Sequence, residues 1–514
     1  MATPRPRLTA LLLGGAMCVI SVACVRAAAP APTSASDALL LNRLTWGVNG
    51  QAVRALAQAG SIDRYLEQQL HPAPGDHLPP AIQAEIASMR LSRESVETLG
   101  HEFEAKRRVV TAITNPDQKK TAMAAHRLEQ EDVGREAMQR QLLRDIYSPD
   151  QLREQTTFFW LNHFNVYRHT IDALLGDYED TIRPHALGKF RDLLTATVYH
   201  PAMLRYLNNA QNGAGKINEN YARELMELHT LGVGSGYTQK DVQELARILT
   251  GVGVNLSGQQ PHVRPARASQ LVQKGLFQFN PDRHDYGDKV FLGHTIKGRG
   301  LAEVDEVIDI LSRQPATAKF ISRKLAVYYV SDNPPQALVD RMAATFQKTD
   351  GDIASVLRTM LDSPEFKASL GKKFKDPMHY TVSAVRVAYG DRPIADANPL
   401  VQWLTRLAEP VWGHQTPDGY PMTEASWSSS GGMATRFEFA QFIGQGSRPL
   451  LRAKGADGQL EPPPPGPLPD LSKDAGVQGL TQTLSPTTKA ALAKAGSPEN
   501  WNTLFLASPE FMRR

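Results

Sequence analysis

The sequence predicts a mainly all-α protein, a compact multi-helix bundle with at most a small β-hairpin near residues 289–296. The first observation is an almost unbroken succession of helix-capping residues, each followed by apolar residues at three- and four-residue steps. The second is that the helical segments are short and joined by Pro or Asp turns, which favours a bundle over a solenoid. The third is a hydrophobic content of 41% in a chain of 514 residues, which is enough to bury a large core.

The chain begins with a pattern typical of an export signal, from Met1 to about Ala29. Arg5 and Arg7 form a positive start, residues 8–22 are apolar, and small residues at 27–29 offer cleavage sites. The apolar run has the length of a signal peptide and is short for a membrane span. We therefore expect residues 1–29 to be a signal peptide and the protein to be periplasmic or secreted.

Both cysteines, Cys18 and Cys24, lie in this leader. The mature chain then has no thiol, which excludes disulfides, cysteine catalysis and thiolate metal sites. Lipoprotein processing at Cys24 is the alternative, because Val22-Ala23-Cys24 resembles the end of a lipobox. In that case the protein is anchored to a lipid.

Composition excludes several classes of function. The net charge is +4, and basic residues alternate with acidic ones without an aromatic-interleaved patch, so no nucleic-acid partner is expected. No second apolar segment is long enough to span a bilayer. The sequence predicts a main helical domain at 36–460, a proline-rich linker at 461–471 and C-terminal helices at 472–514 that dock on the main domain.

The N-terminal half reads as helices separated by clear breaks. Residues 37–70 form two helices, and residues 81–146 are helical and heavily charged, with a break near Asn115-Pro116. Ser148-Pro149-Asp150-Gln151 gives a complete helix start. The helix that follows carries a dense aromatic run, typical of the core, and His163 is either a satisfied core histidine or a site residue.

The central stretch is Asn218–Gly232, NENYARELMELHTLG, for which the sequence predicts a helix capped by Asn218 and ended by a left-handed Gly232. Three- and four-residue steps align a polar stripe on one face. The stripe consists of Asn220, Arg223, Glu224 and Glu227. His229 falls in the last turn, where the helix dipole favours a cation. A second helix begins at Thr238, which has capping-box spacing with Asp241.

Five segments of the chain resemble the bacterial family known as domain of unknown function 1800. They are the central stretch with the helix after it, LLNRLTWG (40–47), FFWLNHFNV (158–166), RPHALGKFRDLL (183–194) and FNPDRHDYGDKVFLG (279–293). The resemblance covers nearly all of the mature chain. It implies an exported, mostly helical protein, and it implies no particular activity.

Two further segments bear on a site. In the 279–293 segment, Arg283, His284 and Asp285 stand in a turn, where charged residues are poorly suited to a core. Residues 417–427, PDGYPMTEASW, form a loop whose aromatic residues either stack on a sugar ring or fill a gap. No cofactor and no metal site is predicted, because metal-ligand spacing and known cofactor motifs are both absent from the sequence.

Two functional hypotheses remain open. In the first, the protein is a hydrolase acting on glycans or cell-envelope polymers, with Glu224 and Glu227 as acid and base. The expected substrate-binding residues are Asn220, Arg223, His229, Arg283, His284, Asp285 and His163. In the second, the protein is a non-catalytic envelope or secreted protein whose Glu/Arg/His cluster is a structural ion-pair network. Its partner would be an envelope polysaccharide or another exported protein.

The first hypothesis makes a geometric prediction. Glu224 and Glu227 are expected to converge with Arg283 and His284 from the later loop. One carboxyl group is expected to have a raised pKa, as acid–base chemistry on a neutral glycan requires.

Overall fold

The structure is a computed structural model, and it describes residues 33–514 except 391, 454, 456–458, 460, 464, 465 and the side chain of Thr170. The predicted signal peptide at 1–29, with Cys24, lies outside the described residues, as do Pro464 and Pro465 of the predicted linker. In the described residues the chain forms 25 α-helices and five short strands. The prediction of a mainly all-α fold is therefore confirmed.

Seven helices make up the N-terminal third of the chain. They are α1 (Ala35–Leu44), α2 (Gly50–Ala59), α3 (Ile62–Leu70), α4 (Pro80–Ser88), α5 (Arg90–Arg93), α6 (Val96–Ala112) and α7 (Pro116–Tyr147). The predicted break between the last two is the cap of α7, where the Asn115 side chain accepts from the backbone of Asp117 and Gln118. Helices α6 and α7 fold back on each other around a small separate core of Leu99, Phe103 and Val133.

The middle third holds the central stretch. Its helices are α8 (Gln151–His163), α9 (Arg168–Ile171), α10 (Leu175–Ile182), α11 (Phe190–Val198), α12 (Pro201–Tyr206), α13 (Asn220–Glu227) and α14 (Gln239–Ile248). Helix α8 is buried, and the Trp160 indole N–H donates to the Ala186 carbonyl oxygen at 2.9 Å. The aromatic run in α8 is thus part of the core, as its spacing predicts.

The strands form two small antiparallel sheets. Strands β1 (Val252–Val254), β2 (Val272–Lys274) and β3 (Phe277–Phe279) pair in the order β1-β3-β2. Strands β4 (Lys289–Phe291) and β5 (His294–Ile296) form the predicted hairpin, with Val290 opposite Thr295. The sequence pattern does not predict the three-stranded sheet. Strands of three residues are too short to show an alternating pattern.

The remaining helices complete one continuous core. They are α15 (Ala302–Arg313), α16 (Pro315–Tyr329), α17 (Gln336–Lys348), α18 (Ile353–Leu361), α19 (Pro364–Ser369), α20 (Pro377–Tyr389), α21 (Asn398–Arg406), α22 (Ser430–Gly444), α23 (Ala475–Thr481), α24 (Pro486–Ala493) and α25 (Pro498–Leu506). Gly479 of α23 packs on Ala38 of α1, and Gly444 of α22 packs on Thr503 of α25. Among the described helices, none is both long enough and apolar enough to cross a membrane.

Candidate functional site

Helix α13 is shorter than the helix predicted at 218–232. The Glu224 carbonyl accepts from the backbone N–H of Leu228 at 2.9 Å and also from that of His229 at 3.1 Å. This wide last turn ends the regular helix and brings His229 into the core. Gly232 follows with φ 84°, the left-handed conformation that its position predicts. Beyond it, the predicted capping box of Thr238 and Asp241 starts α14.

Arg223 is the hub of the charged side chains on α13. Its guanidinium donates to Glu219 at 3.1 Å, to Glu227 at 3.5 Å and to Gln239 of α14 at 2.8 Å. Asn220 turns the other way and donates to the Leu207 carbonyl oxygen at 3.2 Å. Glu227 is therefore part of an ion-pair network that ties α13 to α14.

Glu224 has different surroundings. Its side chain is half-buried, and within the described part of the chain its carboxylate makes no hydrogen bond or ion pair. Burial raises the pKa of Glu224, and the charges of Glu227 and Asp418 add to that rise, while Arg223 opposes it. One carboxylate of the predicted pair thus has the raised pKa expected of a general acid.

Asp418, whose charge acts on Glu224, belongs to a loop, residues 413–420, that is fixed to α8 and to the residues just after it. Asn162 of α8 exchanges hydrogen bonds with the backbone of Tyr420, at 2.9 Å and 2.6 Å. Asn165 donates to the carbonyl oxygens of His414 at 3.1 Å and Thr416 at 2.8 Å. We call residues 413–420 the site loop, and both clamping asparagines come from the FFWLNHFNV segment.

Two further features hold the site loop in place. The Tyr206 hydroxyl of α12 donates to the Gln415 carbonyl oxygen at 2.6 Å. Gly419 has φ 76° and passes so close to Asn162 that a Cβ would lie 2.1 Å from the Asn162 carbonyl oxygen. Only glycine fits this approach.

The electrostatics of Asp418 are opposite to those of Glu224. Burial works against ionisation of Asp418, but hydrogen bonds from Thr416 and His414 outweigh it and lower the pKa of the carboxyl group. The Thr416 hydroxyl donates at 2.6 Å, and His414 Nε2 lies 3.2 Å from Asp418 Oδ1. The two carboxyl groups thus have pKa values shifted in opposite directions, which suits an acid and a base.

Lys324 of α16 adds a cation on this side of the molecule. Burial lowers the pKa of Lys324 to about 8, and the charge of Asp418 opposes that shift. Its Nζ lies 5.6 Å from the centroid of the Phe320 ring. Lysines with pKa values near neutral are suited to proton transfer and to binding of anions.

His163 and His229 are brought together, but in the core. Their ring centroids are 6.1 Å apart, and His163 Nε2 lies 3.1 Å from the His229 carbonyl oxygen. Burial lowers the pKa of His229 to about 3 and also lowers the pKa of His163 well below its usual value. The expectation of a cation at the end of the central helix is therefore wrong, because burial disfavours the protonated imidazole of His229 more strongly than the helix dipole favours it.

The predicted convergence of the later loop with α13 is not observed. Arg283 donates to the carbonyl oxygens of Ala210 at 3.0 Å and Asn212 at 3.1 Å. Asp285 pairs with Arg247 at 2.8 Å. The loop is tied to α14 and to the chain before α13, and the later segment whose charge acts on Glu224 is the site loop, through Asp418.

His284 is buried in a separate polar cluster. Its Nδ1 lies 2.8 Å from the Thr250 carbonyl oxygen, and its Nε2 lies 3.0 Å from Glu303 Oε1. Lys289 Nζ binds the other oxygen of Glu303 at 2.5 Å. All three side chains are buried, so this cluster fixes β4 to α15.

The residues missed by sequence reasoning are Asp418, Lys324 and Tyr206, together with the clamping asparagines Asn162 and Asn165. The asparagines carried a signal, since they are polar residues inside an aromatic core segment. Asp418 lies in a Pro-Asp-Gly turn, which predicts a loop but not its neighbours. In the described residues no group of three or more His, Cys, Asp or Glu side chains is arranged to hold a metal ion.

Comparison with known proteins gives a family but no activity. The family profile described as "Protein of unknown function (DUF1800)" matches residues 39–513. No curated protein and no solved structure matches the chain.

Proposed function

The chain belongs to the DUF1800 family of proteins of unknown function, and from its own geometry we propose that it is an exported hydrolase acting on glycans or cell-envelope polymers. The observation that carries the proposal is the contrast between two carboxyl groups, one of which acts on the other through its charge. Glu224 has a raised pKa and Asp418 a lowered one. Paired carboxyl groups of this kind supply the acid and the base of glycoside hydrolysis.

Each group has a role in this proposal. Glu224, in its protonated form, donates a proton to the leaving-group oxygen as the bond to that oxygen breaks. Asp418 stays ionised, takes a proton from the attacking water and so directs the water oxygen to the carbon. Glu227 keeps Glu224 protonated through its charge and is itself held by Arg223. In this proposal Glu224 is the acid, Asp418 replaces Glu227 as the base, and Glu227 acts on Glu224 through its charge.

Aromatic residues beside the carboxylates support a sugar substrate. Tyr420 packs on His414 at 4.7 Å between ring centroids and on Trp427 at 6.1 Å. All three are half-buried, so each presents part of its ring to solvent. Aromatic rings next to an acid–base pair offer apolar faces for a sugar ring.

Export is part of the same proposal. The pattern of residues 1–29 supports secretion, and a substrate outside the cytoplasm fits it. When the full chain is expressed in a bacterium with an outer membrane, we expect the shortened mature protein in the periplasmic or membrane fraction. Full-length protein confined to the cytoplasm would contradict this.

The hydrolase proposal is tested with three variants of the mature protein. Glu224→Gln and Asp418→Asn are expected to reduce the release of soluble sugar from purified sacculi and from a neutral polysaccharide by about 10²–10⁴-fold, because general acid–base catalysis is lost. Glu219→Gln is the matched control, since Glu219 also pairs with Arg223 but lies at the start of α13. It is expected to keep the wild-type rate.

Melting curves of Glu224→Gln and of a further variant, Glu227→Gln, distinguish the alternative function. The contacts of Arg223 with Glu219, Glu227 and Gln239 favour a non-catalytic protein in which the stripe only joins α13 to α14. Catalytic roles predict that Glu224→Gln and Glu227→Gln change the unfolding free energy by less than about 1 kcal/mol. A loss of several kcal/mol in both variants, or wild-type rates of sugar release by Glu224→Gln and Asp418→Asn, would reject the hydrolase.

A further inference from the structure

A large cavity lies between the α6–α7 hairpin and the body of the protein. Its volume is about 840 Å³, and its walls include Phe103 of α6, Met123 of α7, Ile171 of α9 and Arg205 of α12. This volume is in the range of cavities that hold small-molecule ligands, about 300–1,000 Å³. None of the residues assigned above to the hydrolytic site lines it.

A second cavity of about 470 Å³ adjoins the first and shares Glu104, Arg107 and Arg205 with it. Its other walls are rich in side-chain amides, from Asn255, Gln259 and Gln278 among others. The two cavities therefore present apolar surface on one side of Arg205 and amide groups on the other.

Arg205 is the distinctive charge in this place. It is half-buried, and within the described residues its guanidinium makes no hydrogen bond or ion pair. Glu104, the acid whose charge acts on Arg205, is bound by other arginines. Arg107 binds it through two hydrogen bonds of 2.8 Å, and Arg108 binds it at 3.1 Å. A partly buried guanidinium without a counter-ion is costly, and a bound anion would remove that cost.

The other acid of the cavity does not neutralise Arg205. Burial raises the pKa of Asp172 to about 7, against the opposing charges of Arg168 and Arg127. The positive charges in the cavity wall consequently exceed the negative ones.

We propose that this cavity binds an amphipathic anion, with a carboxylate or phosphate group on Arg205 and an apolar chain against Phe103 and Met123. The outer part of the α6–α7 hairpin supports an apolar ligand. Met123 is 55% exposed at the cavity wall, and Leu128 of the same hairpin is 59% exposed. Apolar side chains exposed beside a cavity are typical of an entrance for such a ligand.

The proposal is tested by calorimetry on the mature protein with four probes below their aggregation thresholds: decyl phosphate, decanoate, decanol and inorganic phosphate. Binding of decyl phosphate or decanoate is expected, and the stronger of the two identifies the head group. Decanol and inorganic phosphate are each expected to bind at least about tenfold more weakly, because each lacks one of the two interactions. Equal binding of either one would overturn the proposal, as would absence of binding by both decyl anions.

Two pairs of variants locate the site. Arg205→Gln is expected to weaken binding of the decyl anion about tenfold or more through loss of charge-assisted hydrogen bonds. Arg64→Gln, on the exposed side of α3, is its control and should bind as the wild type does. Met123→Glu should weaken binding, whereas Val109→Glu, on the same hairpin but outside the cavity lining, should not. Unchanged affinity in both Arg205→Gln and Met123→Glu would overturn the assignment.

Discussion

Single side chains of the same type have unlike environments in this protein. Glu224 and Glu227 lie one turn apart on α13, yet Arg223 binds the second and not the first. The pKa of Glu224 is raised first by burial and by the charge of Glu227, and the charge of Asp418 in the site loop adds to that rise. Part of the electrostatic environment of Glu224 thus comes from a segment almost 200 positions away in the chain, which no local pattern reveals.

Lys324 gives a prediction at this scale. Its pKa in the folded protein is about 8, below the usual 10.5 of an unfolded chain. Between these pH values the folded protein has lost the proton that the unfolded chain still holds, so the Lys324 contribution to stability rises with pH. In Lys324→Met the gain in unfolding free energy over wild type is therefore expected to shrink from pH 7 to pH 10, as urea unfolding would measure.

Lys319→Met is the control for this titration. Lys319 lies on the same helix, and its side chain is 64% exposed. Other groups titrate equally in wild type and variant, so they cancel in the difference. A difference for Lys324→Met that changes with pH no more than the difference for Lys319→Met would show that Lys324 keeps an ordinary pKa.

At the scale of secondary-structure elements, caps and periodicity predict much of the fold. The cap at Asn115, the capping box at Thr238 and the hairpin at 289–296 all follow from local residue types, and the structure has each of them. The end of α13 does not follow, because its wide turn at Glu224 is set by the packing of His229 in the core. Local propensity is a weak guide where tertiary packing decides.

The sequence predicts only the helical part of the candidate site, because the rest depends on tertiary packing. The stripe of Arg223, Glu224 and Glu227 is a property of one helix, and helical spacing is enough to find it. The partner loop is a property of the tertiary fold. The chain has two charged or aromatic loops, at 283–285 and 413–420, that are candidates for the partner of this stripe. The choice between them is made by the hydrogen bonds that Asn162 and Asn165 form with the second loop.

At the scale of the whole molecule, helices α7, α8 and α10 are joined by a buried ionic network. Arg144 of α7 pairs with Glu179 of α10 at 2.9 Å, and Arg183, at the end of α10, pairs with Glu154 of α8 at 2.5 Å. Arg183 thus binds a neighbouring carboxylate in the fold. Buried charges of this kind are tolerated only when each has its partner, so the network makes the three helices dependent on one another.

Glu179 and Asp180 are adjacent, pair with the same two arginines and differ in burial. The side chain of Glu179 is 2% exposed and that of Asp180 is 47% exposed. Burial works against ionisation of Glu179, but Arg144 and Arg140 outweigh it and lower the pKa of the carboxyl group. A group with a lowered pKa stabilises the folded state above its unfolded pKa, and this contribution is lost as the pH falls through the folded pKa.

Glu179→Gln is therefore expected to lower the unfolding free energy at pH 7 by about 3–5 kcal/mol, because the buried guanidinium groups of Arg140 and Arg144 lose their counter-charge. Asp180→Asn is expected to change it by less than about 1 kcal/mol, since water screens the exposed pair. Urea unfolding followed by circular dichroism measures both values. The difference in unfolding free energy between the two variants should become smaller at acidic pH, because Glu179 of the wild type itself becomes protonated there. Equal losses in the two variants would mean that burial does not determine the strength of this network, and that the arginines are solvated in the folded protein.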